Sequence, residues 1–176
     1  MHHTRTTVLS AAAAVLLLAG CGSSASTSTP AASSPAAAQS STAASTPLTA
    51  TTAFTGLAKT VTTARLTGTV TAANDSNHLL GRPNQYTSKI TFADSRIAKA
   101  DTSGFSKGDV ELGGAIEVFS DPADATARAK YIQAVTKSMP ALTEYDYVHG
   151  STVVRVSRFL TPKQAGEYET AAGKLG

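Results

Sequence analysis

The sequence predicts an α+β domain over residues 49–176: a two-layer sandwich in which an antiparallel sheet of about four to five strands carries helices on one face. Three observations point there. Residues 86–93 alternate apolar and polar side chains, the period of a half-buried strand. Two strand-like runs each lead into a capped, proline-opened helix start, Asp121-Pro122-Ala123-Asp124 and Thr161-Pro162-Lys163-Gln164. All 12 acidic residues, and all 15 basic residues except Arg5, lie from Lys59 onward. A leader without charge cannot supply the surface of a folded domain, so folding begins near residue 49.

The elements follow in order. Phe54, Leu57, Ala58, Val61 and Arg65 recur at helical spacing and predict a first helix over residues 52–66, weakened by Gly56 and by threonines. Residues 67–73 read as a short edge strand. Asn, Asp, Gly and Pro make residues 74–85 a loop of turns. In the strand over 86–93, Tyr86, Ile90 and Phe92 point one way and Thr87, Lys89 and Thr91 the other. A second strand is expected over 110–120, with Val110, Leu112, Ile116 and Val118 on one face and Glu111 and Glu117 toward solvent. Gly113-Gly114 within it suggests a bulge or a close backbone approach.

Asp121 caps the next helix, whose buried stripe is the Arg128 stem, Ile132, Val135 and Met139 beside Ala125 and Ala129; Pro140 ends it. Residues 144–148 and 152–160 form a hairpin around His149-Gly150-Ser151. Ala165, Tyr168, Ala172 and Leu175 give the last helix its inner face. Phe119-x-x-Pro122-x-x-Ala125 recurs as Phe159-x-x-Pro162-x-x-Ala165, which is open to two readings: a repeated ββα unit, or the common form of a strand-to-helix junction.

The leader carries the most specific pattern. Arg5 precedes a 12-residue apolar run at residues 8–19, which suits a secretory signal and is shorter than the about 20 residues a spanning helix needs. It ends in Leu18-Ala19-Gly20-Cys21, which resembles the bacterial lipobox. The resemblance implies cleavage between Gly20 and Cys21, residues 1–20 being the signal peptide, and a diacylglycerol on the Cys21 thiol. Cysteine suits that step because its thiolate is the nucleophile for a thioether. Two acyl chains give stable anchoring where one is marginal. Residues 21–48 then read as the lipidated cysteine and a disordered spacer; Ser, Ala, Thr and Pro dominate residues 22–47, which hold no large apolar group to offset ordering entropy. As a flexible chain it reaches about 25–30 Å root-mean-square.

Cys21 is the only cysteine, which excludes an intrachain disulfide. The basic residues are scattered, so nucleic acid is not an expected partner. Gly104-Phe105-Ser106-Lys107-Gly108 has the G-x-S-x-G spacing of a nucleophile elbow but precedes a strand instead of a helix, so it reads as a loop. Asn74, Asp75 and Asn77 lack the glycine and glutamate of a calcium loop. His78 and His149 are not spaced as ligands. The tyrosines complete the core or line an aromatic groove. No catalytic or metal site and no cofactor is expected.

The candidate binding residues are Asn77, His78 and Arg82, in the loop over residues 74–85. A polar loop of that length is often functional or disordered, and Leu79, Leu80 and Pro83 favour a packed one. Arg82 is then fixed to grip a carboxylate or phosphate, or to pair with an acid such as Asp94.

The strings Asn77-His78-Leu79-Leu80-Gly81-Arg82-Pro83, Tyr86-Thr87-Ser88-Lys89, Gly114-Ala115-Ile116-Glu117-Val118-Phe119, Arg128-Ala129-Lys130-Tyr131-Ile132 and Glu144-Tyr145-Asp146-Tyr147-Val148 resemble an uncharacterised domain of actinobacterial surface lipoproteins. That family has no assigned activity, so the resemblance implies location and fold alone. The expectation is a monomeric, non-catalytic binding or adaptor domain on the outer face of the plasma membrane. Its partners would be the membrane, through Cys21, and a cell-envelope protein or small ligand. A carrier of an apolar ligand and an unrecognised cell-envelope enzyme are the alternatives.

Overall fold

The computed structural model describes residues 47–175, so the predicted signal peptide, Gly20, Cys21 and nearly all of the spacer lie outside the described residues. The elements are α1 (Ala50–Ala58), β1 (Ala64–Thr69), β2 (Ser88–Asp94), β3 (Gly113–Val118), α2 (Pro122–Ser138), β4 (Glu144–His149), β5 (Thr152–Ser157) and α3 (Pro162–Ala172). The strands form one antiparallel five-stranded sheet in the order β1-β2-β3-β5-β4. The α+β sandwich is the architecture found.

Strand alternation divides the sheet into two unlike faces. Ile90, Phe92, Ile116, Val118, Val154 and Val156 lie on one, under α1 and α3, and form the main core with Phe54, Leu57 and Tyr168. Phe92 is held between two rings, 5.8 Å from Phe54 and stacked 5.3 Å from Tyr168. α1 is tied down at its start, where the Ala50 amide donates to Ser88 Oγ at 2.8 Å. The other face carries Lys89, Ala115, Glu117, Val153 and Arg155, and α2 lies over it, packing Ala125 and Ala129 on Val153. Two of the three helices thus share a face, as expected, while α2 covers the other. The reason is β3, which is buried along its whole length and needs cover on both sides.

Boundaries moved where apolar spacing was ambiguous. α1 ends at Ala58, and Val61 is buried from the turn that follows. β-branched Thr60, Thr62 and Thr63 crowd a helix and suit the approach to a strand. Arg65 therefore sits on edge strand β1, exposed, with its Nη1 donating to the Thr62 and Ala64 carbonyls. Residues 110–112 form a 3-10 turn before β3. Met139 caps α2 and is 46% exposed instead of buried.

The Phe-x-x-Pro-x-x-Ala echo is a junction, not a duplicated unit. Asp121 and Thr161 cap helices that begin at Pro122 and Pro162, and Ala125 and Ala165 are both buried. β3 and β5 are antiparallel neighbours, so a two-fold relating the two ββα units would run perpendicular to the sheet and leave both helices on one face. They lie on opposite faces.

Gly113 and Gly114 mark a close approach of backbone. A Cβ on Gly114 would overlap the Arg155 carbonyl oxygen and the Phe92 ring, whereas one on Gly166 in α3 meets nothing within 4 Å. Gly114→Ala is expected to cost at least about 3 kcal/mol, the upper end of overpacking. Gly166→Ala should gain about 0.5–1 kcal/mol from helix propensity. Urea unfolding of the two variants beside the wild type checks both signs.

Candidate functional site

The polar face of the sheet is built around Glu117. Its side chain is wholly buried and is met by three cations from three elements. Lys89 Nζ of β2 lies 2.9 Å from Oε1, Arg128 Nε of α2 lies 2.9 Å from Oε2, and Arg155 Nη1 of β5 lies 3.3 Å from Oε1. Burial by itself would raise the carboxyl's pKa; Lys89, Arg128 and Arg155 together hold it down at about 2. Arg155 turns its other edge to Glu144, with Nε donating to Oε1 at 2.6 Å and Nη2 to Oε2 at 2.8 Å.

Asp146 stands opposite Arg155 in the β4–β5 register, two residues along the same strand face from Glu144. Its Oδ1 is buried and meets no donor. Burial, and then the adjoining Glu144 carboxylate, push its pKa up to about 8.

Glu117 was expected to face solvent and is instead the most buried charge in the domain. The signal was present in the sequence. Lys89, Glu117 and Arg155 are opposite charges in the middle of inner apolar strands, and Arg128 falls on the predicted inner stripe of α2. Central-strand charges survive only when paired.

Two other buried carboxylates anchor loops. Asp75 accepts the Leu79 and Leu80 amides at 2.8 Å each, the Asn77 amide at 3.2 Å and the Tyr86 hydroxyl at 2.7 Å. Burial opposes its charge, but the Tyr86 hydroxyl and the three amides outweigh that and hold its pKa at about 2. Its oxygens are spent on protein donors, so Asn74, Asp75 and Asn77 form no calcium loop. Asp94 accepts the Tyr168 hydroxyl at 2.6 Å and Arg96 Nη2 at 2.7 Å. Arg96 is the basic partner of Asp94, and the pairing considered for Arg82 does not form.

The three loop candidates separate. Leu79 and Leu80 pack down on the small cluster of Tyr86, Phe119, Ala125, Ala129 and Val153, as expected of a packed loop. Asn77, His78 and Arg82 are exposed. His78 holds the left-handed conformation at φ 52° and shares with Arg82 a shallow recess of about 220 Å³. Asn77 instead faces a larger groove beside α2, lined also by Arg128 and Tyr131, with a volume of about 450 Å³ on one side and about 370 Å³ on the other.

Ser106 lies in a turn between Gly104 and Gly108, both at positive φ, with its amide donating to Asp109 Oδ2 at 2.7 Å. His149 is exposed beside the hairpin turn. Among the described residues no group of three or more His, Cys, Asp and Glu is arranged to hold a metal ion. Tyr86 and Tyr168 are core residues whose hydroxyls end on buried acids, while Tyr131 is 62% exposed at the groove.

Comparison of the chain with protein-family models, with curated proteins and with solved structures gives no match. The groove and the charge cluster beneath it are the features on which a functional reading rests.

Three outcomes test the electrostatics. Glu117→Ala leaves three cations facing one another out of water and should cost about 3–5 kcal/mol. Asp146 has a folded pKa above its unfolded value, so the folded state binds more protons between about pH 4 and pH 8, and its contribution to stability is lost as pH rises through that window. Asp146→Asn, which mimics the neutral carboxyl, should remove that decline. Glu117 and Asp75 act in the opposite sense, losing their contribution as pH falls from about 4.5 toward 2. Urea unfolding at closely spaced pH values reads all three.

Proposed function

We propose that the chain is an exported protein held at the outer face of the plasma membrane by lipid on Cys21, with a non-catalytic binding or adaptor domain over residues 49–176. The observation that carries the first half is Leu18-Ala19-Gly20-Cys21 at the end of a short apolar run, using the only cysteine of the chain. The charge-free Ser/Ala/Thr/Pro stretch that follows is the composition of a spacer, giving the domain about 25–30 Å of play above a bilayer. The likeness to actinobacterial surface lipoproteins belongs to the same proposal. No helix among the described residues is long and apolar enough to cross a membrane.

Support for a binding role comes from the groove at α2. It is open, and its lining mixes amides, charges of both signs and an exposed aromatic ring. The buried carboxylates beneath and beside it are committed to protein partners, Glu117 to three cations and Asp75 to four donors. Their work is structural, and the groove is left to recognition.

Cys21→Ser should move the protein out of the membrane fraction or leave the uncleaved precursor, with the mass of the lipid missing. Fractionation with intact-mass measurement of both forms is the check. Unchanged mass and partitioning would remove the anchor from the proposal.

A further inference from the structure

The groove beside α2 has a lining that selects a ligand class. Asn77, Asn84 and Gln85 come from the loop after β1, and Asp124, Arg128 and Tyr131 from successive turns of α2. Each amide offers two donors and an acceptor, Asp124 offers acceptors only and Arg128 donors only. Glu117 occupies Nε and Nη2 of Arg128, at 2.9 and 3.3 Å, and does not engage Nη1. The Arg128 charge is already met by Glu117 and Asp124 adds a negative one, so an anion gains nothing here over a neutral molecule. The apolar contribution to this side of the groove is Leu79, Ala127 and the ring of Tyr131, too small for a lipid or a large hydrocarbon.

Tyr131 decides the shape of the ligand. It is the most exposed large aromatic or aliphatic side chain in the domain at 62%, and the Arg128 guanidinium lies 5.8 Å from its ring centre. An exposed ring with a guanidinium over it, lining an open groove, offers a flat apolar platform with a polar tip. A hydroxyl is donor and acceptor at once, so a molecule with many hydroxyls around an apolar C–H face satisfies amides, carboxylate, guanidinium and ring together. The volume of about 450 Å³ lies within the usual range of small-molecule sites.

We propose that this groove binds an uncharged saccharide, with Tyr131 stacking on a sugar ring and Asn77, Asn84, Gln85, Asp124 and Arg128 reading its hydroxyls. The inference rests on the reading of the domain as a binding module and names its ligand class. It also gives one loop candidate, Asn77, a role beside α2, while His78 and Arg82 lie at the separate recess.

The test uses the full chain extracted in detergent, with cellotetraose, maltotetraose, mannotetraose and chitotetraose as uncharged probes and tetragalacturonate as an anionic one. Saturation-transfer NMR and calorimetric titration read binding. At least one uncharged probe should bind; Tyr131→Ala should weaken it by at least about tenfold, as for an aromatic hot spot, and Asn84→Ala should weaken it measurably. Tyr131→Phe should retain binding, and the melting temperature of Tyr131→Ala should match the wild type, since the ring is exposed. Binding of none of the uncharged probes, unchanged affinity in Tyr131→Ala, or tighter binding of tetragalacturonate than of every uncharged probe would each overturn the assignment. Were the anchor reading to fail, the protein would be recovered from the soluble fraction and titrated in the same way, so the two failures are read separately.

Discussion

The buried carboxylate of Glu117 is the constraint around which the second face of this sheet is organised. A lone carboxylate there would be excluded by its desolvation cost, and three cations without it would repel one another. Together they tie β2, β3, β5 and α2 into one network, because each partner comes from a different element. α2 needs that tie. Its buried apolar surface is modest, Ala125, Ala129 and Ile132, and could not fix the helix on the sheet as firmly as Leu57 and Phe54 fix α1 or Tyr168 fixes α3. A buried ion network sets geometry more reliably than it adds stability, and here the geometry it sets is the position of the helix that walls the groove.

The same device recurs on a smaller scale. Asp75, Asp94 and Glu117 are all buried, and each joins segments distant in sequence. Asp75 gathers the turns of a loop onto Tyr86, Asp94 joins the end of β2 to α3 through Tyr168, and Glu117 joins the sheet to α2. Two of the three use a tyrosine hydroxyl as the donor, so the ring fills apolar space while its end satisfies a charge. A domain without disulfides thereby gains directional contacts at the places where its layers and loops meet.

The class of the fold, the hairpin, the capped starts of α2 and α3 and the close approach at Gly113-Gly114 were legible because each rests on local chemistry. Proline after a capping residue, a period of two, and a paired glycine carry their meaning in a few residues. The end of α1 was not legible, since Phe54, Leu57 and Val61 keep helical spacing across the point where the chain turns. The cover on both faces of β3 was misread because Glu117 was taken as a mark of solvent. Only its register beside Lys89 and Arg155, a long-range fact, shows that the alternation of charge and apolar residue runs through the interior. Of the loop candidates, Asn77 faces the groove, and Tyr131 stands there as one of the tyrosines open to lining one, whereas Asn84 and Asp124 were passed over as binding residues because nothing near them in sequence links the loop to α2.

The charge network also explains why there is a groove at all. Near its start α2 descends on the sheet through alanines, which let the backbone approach Val153 closely. Further along, the sheet presents Ala115 between Thr91 and Arg155, with Lys89 next along β2, and the helix presents Ile132 and Val135. Long cationic side chains reaching to one central carboxylate cannot pack as densely as interlocking aliphatic ones, and the small Ala115 leaves the space above it unfilled. A more apolar face would have drawn α2 flat against the sheet and closed that space. The polar face therefore leaves space under the helix, lined by Ala115, Ile132 and Val135 with Arg128 and Tyr131, and the interaction that holds the helix in place borders that space.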